Sequence, residues 1–440
     1  MTQPKRNFAL GAYLSGSATN GDAWRAPEED VDADIEFARY RDYVSLLEQG
    51  RFDSIFLYDN VLPIADPSAV ADSPGVPRWD TFTLLAALAV TSRHIGLIGT
   101  ASTSFNEPYN LARRVASLDR LSGGRAGWNV VTATGGGENF NLPRHLDHAD
   151  RYERAHEFVD VVTGLWDSVA PGAFLRDKQS GRWLDPTLVR PLNHKGRFFS
   201  VAGPLNAPPP VQRRPVLAQA GASGPGRELA ARIGEIIYTA EYDPIAGRAY
   251  RADILARAAA HGRGEANLRI LPGLAPFVGE SDAEARDKFE SYLRYLDHGE
   301  SLRGLSSYAS LGIDLSTWPA DRPIELGDVA ETNSHKSRQS LIVDWIRRDR
   351  PTPQEVLRRF TRGGHRIIVG TAGEIVDDME GWYRSGASDG FNIMFTSAPD
   401  GISDFVRLVT PELQRRGLLR TQYVGRTLRE NLGLPDPVTV

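Results

Sequence analysis

The sequence predicts an α/β protein, a (β/α)₈ TIM barrel with insertions, on three observations. Short apolar or β-branched runs alternate with amphipathic stretches in a repeated β–α order. The strand-like runs are nearly continuous in apolar residues, as parallel strands covered on both faces require. Eight such runs can be counted, which suits a closed barrel better than an open doubly wound sheet.

Taken in order, residues 7–13 (NFALGAY) form the first expected strand, and residues 30–49 a helix with Gly50 as its stop. Residues 53–59 (DSIFLYD) give the second strand and residues 81–91 a helix. Residues 95–101 (IGLIGTA) give the third strand. Residues 108–121 follow as a helix, with Pro108 in its first turn and Gly123 past its end. Residues 125–131 (RAGWNVV) are the fourth strand, and residues 151–166 a strongly amphipathic helix. The later strands are residues 215–219, 235–239, 268–278 and 391–396.

At 440 residues the chain exceeds the roughly 250 of a plain barrel. One domain over 1–440 must therefore carry insertions, expected at about 169–214, after the fourth helix, and 280–370, between strands seven and eight. Such segments either build the pocket or make subunit contacts, and the sequence leaves both open.

Composition narrows the function. Hydrophobic residues make up 41%, charged residues 24%, and the net charge is −5, with 51 basic residues dispersed among 56 acidic ones. No basic block marks a nucleic-acid partner. The stretch MTQPKRNFALGAYLSG lacks a secretory apolar core, and no run of 18 apolar residues spans a membrane. The absence of cysteine excludes disulfides, thiolate nucleophiles, Cys-ligated zinc and iron–sulfur clusters. A soluble cytoplasmic protein is expected.

In a barrel, functional groups gather at the carboxyl ends of the strands. Asp59 ends the second expected strand, Thr100 and Thr103 close the third, and Asn129 lies in the fourth. Asp59 could orient a ligand or pair with an arginine. His148 and Tyr152 are spaced i, i+4, so both could donate to a phosphate. Equally, His148 could cap the helix while Tyr152 packs on the barrel. GASGPG (221–226) is a Gly/Ser turn ahead of a helix, offering N–H groups and the Ser223 hydroxyl to an anion. On this feature alone an ordinary N-cap is the stronger reading. The turn is neither a Walker motif nor a Rossmann fingerprint, and no G-x-S-x-G elbow occurs. HLDHAD (145–150) does not make a convincing metal site, so no metal is expected. No catalytic residue can be named, and a glycosidase-type acid pair remains open.

Several segments, in order, resemble one known group. FNEPYNLAR, ASLDRLSGGR and GWNVVT lie within 94–132, followed by HLDHADRYERAHEFV (145–159) and GRFFSVAGPLN (196–206). LAQAGASGPGRELAAR (217–232), GASDGFNIMF (386–395) and RTQYVGRTLRENLGL (420–434) complete the set. Together they resemble the nitrilotriacetate / dibenzothiophene-sulfone monooxygenase group of the bacterial luciferase-like superfamily, over about residues 7–434. The resemblance implies a luciferase-like barrel that uses reduced FMN (FMNH2) as a co-substrate with O2. The flavin would be supplied by a separate NAD(P)H:flavin reductase, and a small organic molecule oxygenated with C–N or C–S cleavage. It implies that Asp59 contacts the flavin ring or ribityl chain, that Thr100 or Thr103 lines the ring face, and that Asn129 meets the ring edge. His148, Tyr152 and Ser223 would hold the phosphate, with N–H groups after Ala222. A homodimer or homotetramer is expected, with RTQYVGRTLRENLGLP (420–435) as a candidate interface arm.

The resemblance has one departure. ATGGGENFNL (133–142) is shorter and richer in glycine than the group's counterpart, which bears on substrate rather than on flavin. A three-glycine loop is expected to be mobile. Three other readings stand beside the monooxygenase: a deazaflavin-dependent oxidoreductase of the same superfamily, a non-flavin barrel hydrolase, and a non-catalytic flavin-binding barrel.

Overall fold

The computed structural model describes residues 8–15, 24–27, 29–62, 79–133, 135–141, 147–221, 223–330, 332, 336–360 and 364–437, the side chains of 148 and 336–338 apart. Its first half is a run of βα units. They comprise β1 (Ala9–Tyr13), α1 (Phe37–Gln49), β2 (Ser54–Leu57), α2 (Thr81–Thr91), β3 (Gly96–Ser102), α3 (Pro108–Ser122), β4 (Ala126–Val131) and α4 (His148–Asp167). Then follow β5 (Val216–Gln219), α5 (Gly224–Ile233), β6 (Ile236–Thr239), α6 (Pro244–Ala260) and β7 (Arg269–Gly279). After an insertion come β8 (Arg366–Thr371), α7 (Ala372–Arg384) and β9 (Gly390–Met394).

Eight parallel strands close in the order β1-β2-β3-β4-β5-β6-β7-β9 and back to β1. The alternation of each strand sorts its side chains. Ile55 and Leu57 point outward to the helices, whereas Phe56 points inward with Ile98, Val216, Tyr238 and Leu271. Local signals set the helix ends: Asp80, Asp147, Ser223 and Asp243 each accept a backbone N–H as N-caps. Gly123 terminates α3 at φ 71°.

Two features go beyond the expectations. The end of the second insertion, with Thr371, forms an additional strand of the sheet, β8. Leu274 of β7 is in register with both Ile393 of β9 and Arg366 of β8, so β8 and β9 occupy opposite edges of β7. The first four residues of β7 thus pair β6, and the last six pair β8. Above this strand the insertion builds a second core from residues such as Phe289, Leu305, Trp345, Ile346 and Val356. The segment 420–435, the candidate interface arm, is the second, for it packs against its own barrel. Leu428, Leu432 and Leu434 fill the barrel from its amino-terminal end, against Ala9, Ile98, Val216 and Ile236. Only glycine fits at 96, because a β-carbon there would overlap Leu428. Arg269 donates to Leu432 O at 2.9 Å and Gly433 O at 2.8 Å, and Arg420 pairs with the buried Asp53.

The first insertion is mostly irregular, with one short hairpin joining His194–Lys195 to Ser200–Val201. It is fastened to α4 by Glu157, which accepts Phe198 N at 3.0 Å, Phe199 N at 2.8 Å and a contact from His194 Nε2 at 3.0 Å. No helix among the described residues is long and apolar enough to cross a membrane.

Candidate active site at the barrel mouth

The floor of the mouth is aromatic. Phe56 stacks on Tyr238 with ring centroids 4.6 Å apart, and Tyr13 meets Phe56 edge-on at 5.8 Å. These residues alternate inward from β1, β2 and β6. The apolar floor excludes water and leaves polar specificity to a few groups.

Two of those groups are carboxamides. Asn129 Nδ2 donates to Thr100 Oγ1 at 3.1 Å, and Thr100 Oγ1 donates to Leu57 O at 2.8 Å. Asn129 is 1% exposed and Asn392 3% exposed, yet neither Oδ1 has a partner among the described residues. Leaving such an acceptor buried and unmade costs about 1–3 kcal/mol, so both oxygens suit a ligand that carries N–H donors. Asn392 was not singled out from the sequence. The available signal was one amide within the otherwise apolar run GFNIMF.

Thr100 and Thr103 play unequal parts. Thr100 is bonded into the β2–β3–β4 ladder and can offer a ligand only what its hydroxyl leaves free. Thr103 is fully buried; its N–H and hydroxyl both donate to Val131 O, at 2.9 and 3.2 Å, which ties the exits of β3 and β4 together. Asp59 stands two residues beyond β2 at the rim, half-buried.

The amino ends of α4 and α5 converge. Tyr152 Oη lies 3.5 Å from Ser223 Oγ. Gly226 permits this, since a β-carbon there would sit 3.0 Å from Tyr152 Oη and 2.9 Å from Gly221 Cα. Ser223 also accepts Gly226 N at 3.2 Å, so the hydroxyl caps α5 and faces Tyr152 at once. The α4 cap is Asp147, which accepts Asp150 N at 3.0 Å, not His148. His148 is the first residue of α4, with its side chain outside the described residues, as are Ala222 and His145. Arg151, one residue before Tyr152, donates to Ala133 O at 2.7 Å, and burial lowers its pKa. The two hydroxyls thus stand together at the amino ends of two helices, where backbone N–H groups and the helix dipoles favour negative charge.

The loop after β4 closes one side. Gly135 and Gly136 press on Leu62 and Val61, where β-carbons would come within 2.9 Å of the Leu62 side chain and 3.0 Å of Val61 O. Asn139 Nδ2 donates to Val61 O at 2.9 Å, and Phe140 stacks on Phe105 with centroids 4.7 Å apart. These glycines thus serve close approach to the β2 exit. Arg176, Arg182, Arg190 and Arg197 of the first insertion are all exposed. Among the described residues no acid–histidine cluster could hold a metal ion.

Residues 17–389 match the family of luciferase-like monooxygenases. The chain is 41% identical to nitrilotriacetate monooxygenase component A of Aminobacter aminovorans, covering 98% of this chain and 97% of that one. The chain belongs to the luciferase-like monooxygenase family. It is therefore an oxidoreductase of the flavin-dependent monooxygenase class. Another relative in this family is N-acetyl-S-(2-succino)cysteine monooxygenase of Bacillus subtilis, 40% identical over 100% of this chain and 99% of the relative. Among luciferase-like structures, a riboflavin lyase solved with modified FMN and riboflavin superposes with a TM-score of 0.85 at 28% identity, covering 97% of this chain and 96% of that one.

Proposed function

We propose that this monooxygenase uses FMNH2 from a separate NAD(P)H:flavin reductase, together with O2, to oxygenate a small organic substrate. C–N or C–S cleavage in an aminopolycarboxylate or sulfone is the reaction we assign. The observation that carries the reading is the pairing of an anion cradle at Tyr152 and Ser223 with buried, unpartnered carboxamide oxygens over an aromatic floor. One end suits a phosphate and the other a flat ring with N–H donors. Relatives named for nitrilotriacetate and for N-acetyl-S-(2-succino)cysteine support a small carboxylated substrate.

When bound, the reduced flavin supplies the two electrons that activate O2. The chain's own residues do the rest. Ser223 and Tyr152, with His148, hold the phosphate through their donors. Asp59 and Thr100 flank the ring and ribityl chain, and Thr103 fixes the β3 exit beside them. Asn129 accepts from the ring edge. The apolar floor keeps water from the reacting end. The enzyme acts in the cytoplasm as a homodimer or homotetramer of single-domain chains.

The test is an anaerobic titration with reduced FMN, followed by rapid mixing with oxygenated buffer. Tight binding, then oxygen uptake coupled to loss of a substrate such as nitrilotriacetate, is expected. Failure to bind reduced FMN would overturn the reading.

A further inference from the structure

One place on the barrel's inner wall is filled from outside the barrel. Leu271 of β7 faces the interior, and the period of two along a strand puts Gly273 on the same face. Glycine contributes no side chain there. The ring of His365, one residue ahead of β8, takes its place: a β-carbon on Gly273 would overlap the Nδ1, Cε1 and Cγ atoms of the imidazole. Gly273 is in register with Asn392 of β9, whose buried Oδ1 has no partner among the described residues. Imidazole and carboxamide therefore stand together on the β7–β9 wall. The cradle at Tyr152 and Ser223 belongs to the helices after β4 and β5. One strand separates the two places in one direction around the barrel and three in the other, so they face each other across the mouth.

We infer that His365 and Asn392 form the ring-end wall of the flavin site, with His365 donating to the isoalloxazine edge and Asn392 accepting from it. This rests on the FMN reading. The chemistry is complementary: the pyrimidine edge of an isoalloxazine sets carbonyl acceptors beside an N–H donor. The wall sets an imidazole, whose ring N–H is a donor, beside an acceptor oxygen. The second insertion, which ends in β8, thus contributes a ligand-contacting residue, and Gly273 is the opening that admits it. The place of the wall around the barrel from Tyr152 and Ser223 gives the wall to the ring and leaves the phosphate to the cradle.

The test is a fluorescence titration of the full chain with FMN and with riboflavin, which lacks the phosphate. His365→Ala is expected to weaken both ligands by the same factor, about fivefold for one lost hydrogen bond. His365→Gln, which keeps a donor, should recover much of that loss. Gly273→Ala, which keeps the histidine but displaces its ring, should weaken both ligands as His365→Ala does. In the unmodified protein, FMN should shield His365 from carbethoxylation by diethyl pyrocarbonate, read by mass spectrometry, while the surface His261 reacts as before. Binding of both flavins within twofold of wild type by His365→Ala would overturn the inference, as would weakening of FMN alone or an unshielded His365. If the unmodified protein binds neither flavin, the FMN reading itself falls, a result distinct from the others.

Discussion

Tyr152 and Ser223, separated by 71 positions in the chain, bring their hydroxyl oxygens to 3.5 Å across the amino ends of two helices. Tyr152→Phe removes one hydroxyl without touching a helix cap. It is expected to raise the FMN dissociation constant about ten- to a hundredfold, the worth of one hydrogen bond to a charged group, and to leave riboflavin binding unchanged. Ser223→Ala should do the same and also lose about 1 kcal/mol of stability with its cap. Equal affinity of Tyr152→Phe and wild type for FMN would remove the cradle from the phosphate site.

Gly136 has φ 92° and touches Val61 O. Alanine is strained in that backbone region and would push the loop off the β2 exit, at a cost of about 1 kcal/mol or more. Gly136→Ala is expected to lower both thermal stability and kcat/KM. Gly137→Ala, at a buried position with negative φ, tests the rest of the turn. Unchanged steady-state kinetics in both variants would show that the loop has no part in turnover.

Glu157 responds to acid in a defined direction. Burial alone would raise its pKa, but bonds from His194, Phe198 N and Phe199 N outweigh burial and hold it below the ordinary value of 4.5. A carboxylate with a depressed folded pKa stabilises above its unfolded pKa, and that contribution disappears as pH falls through the folded value. Glu157→Gln should therefore be about 1–3 kcal/mol less stable at pH 7. The gap to wild type should narrow below about pH 4.5. Denaturant melts at several pH values read it directly, and a gap that widens in acid would contradict the assignment.

Leu428 sits at 0% exposure inside the barrel's amino-terminal end. Leu428→Ala should cost about 2–5 kcal/mol by leaving a cavity, with no change in subunit number. If sedimentation instead showed altered assembly at unaltered stability, the segment would be an interface after all.

The sequence was most legible where one local rule decided the outcome. Continuous apolar runs such as IGLIGTA became barrel strands, and Ser223 stands at a helix start as cap chemistry requires. β8 escaped because RIIVGT is only half-buried along most of its length, while eight strands already completed the barrel. The tail 420–434 offers no apolar run that would announce a place in the barrel. Arg420 and Arg429 are drawn in by distant partners, Asp53 for Arg420 and Glu235 for Arg429. No window of sequence contains those pairs. In the site, Thr100 and Tyr152 were visible as polar residues at strand and helix ends. The meeting of Gly273 with His365 was not, since it depends on a missing side chain in one element and a ring from another.

The division of β7 has a consequence for descent. Its first residues belong to the closed ring and its last carry β8. A lineage could rewrite the cover above that strand, lengthening or exchanging its helices, while inheriting the closed ring of strands intact. Backbone pairing at Leu274–Gly279 is indifferent to side-chain identity and would re-seat each new cover in the same register. Diversification among such enzymes would then proceed by substitution of the cover, with one strand as the graft junction.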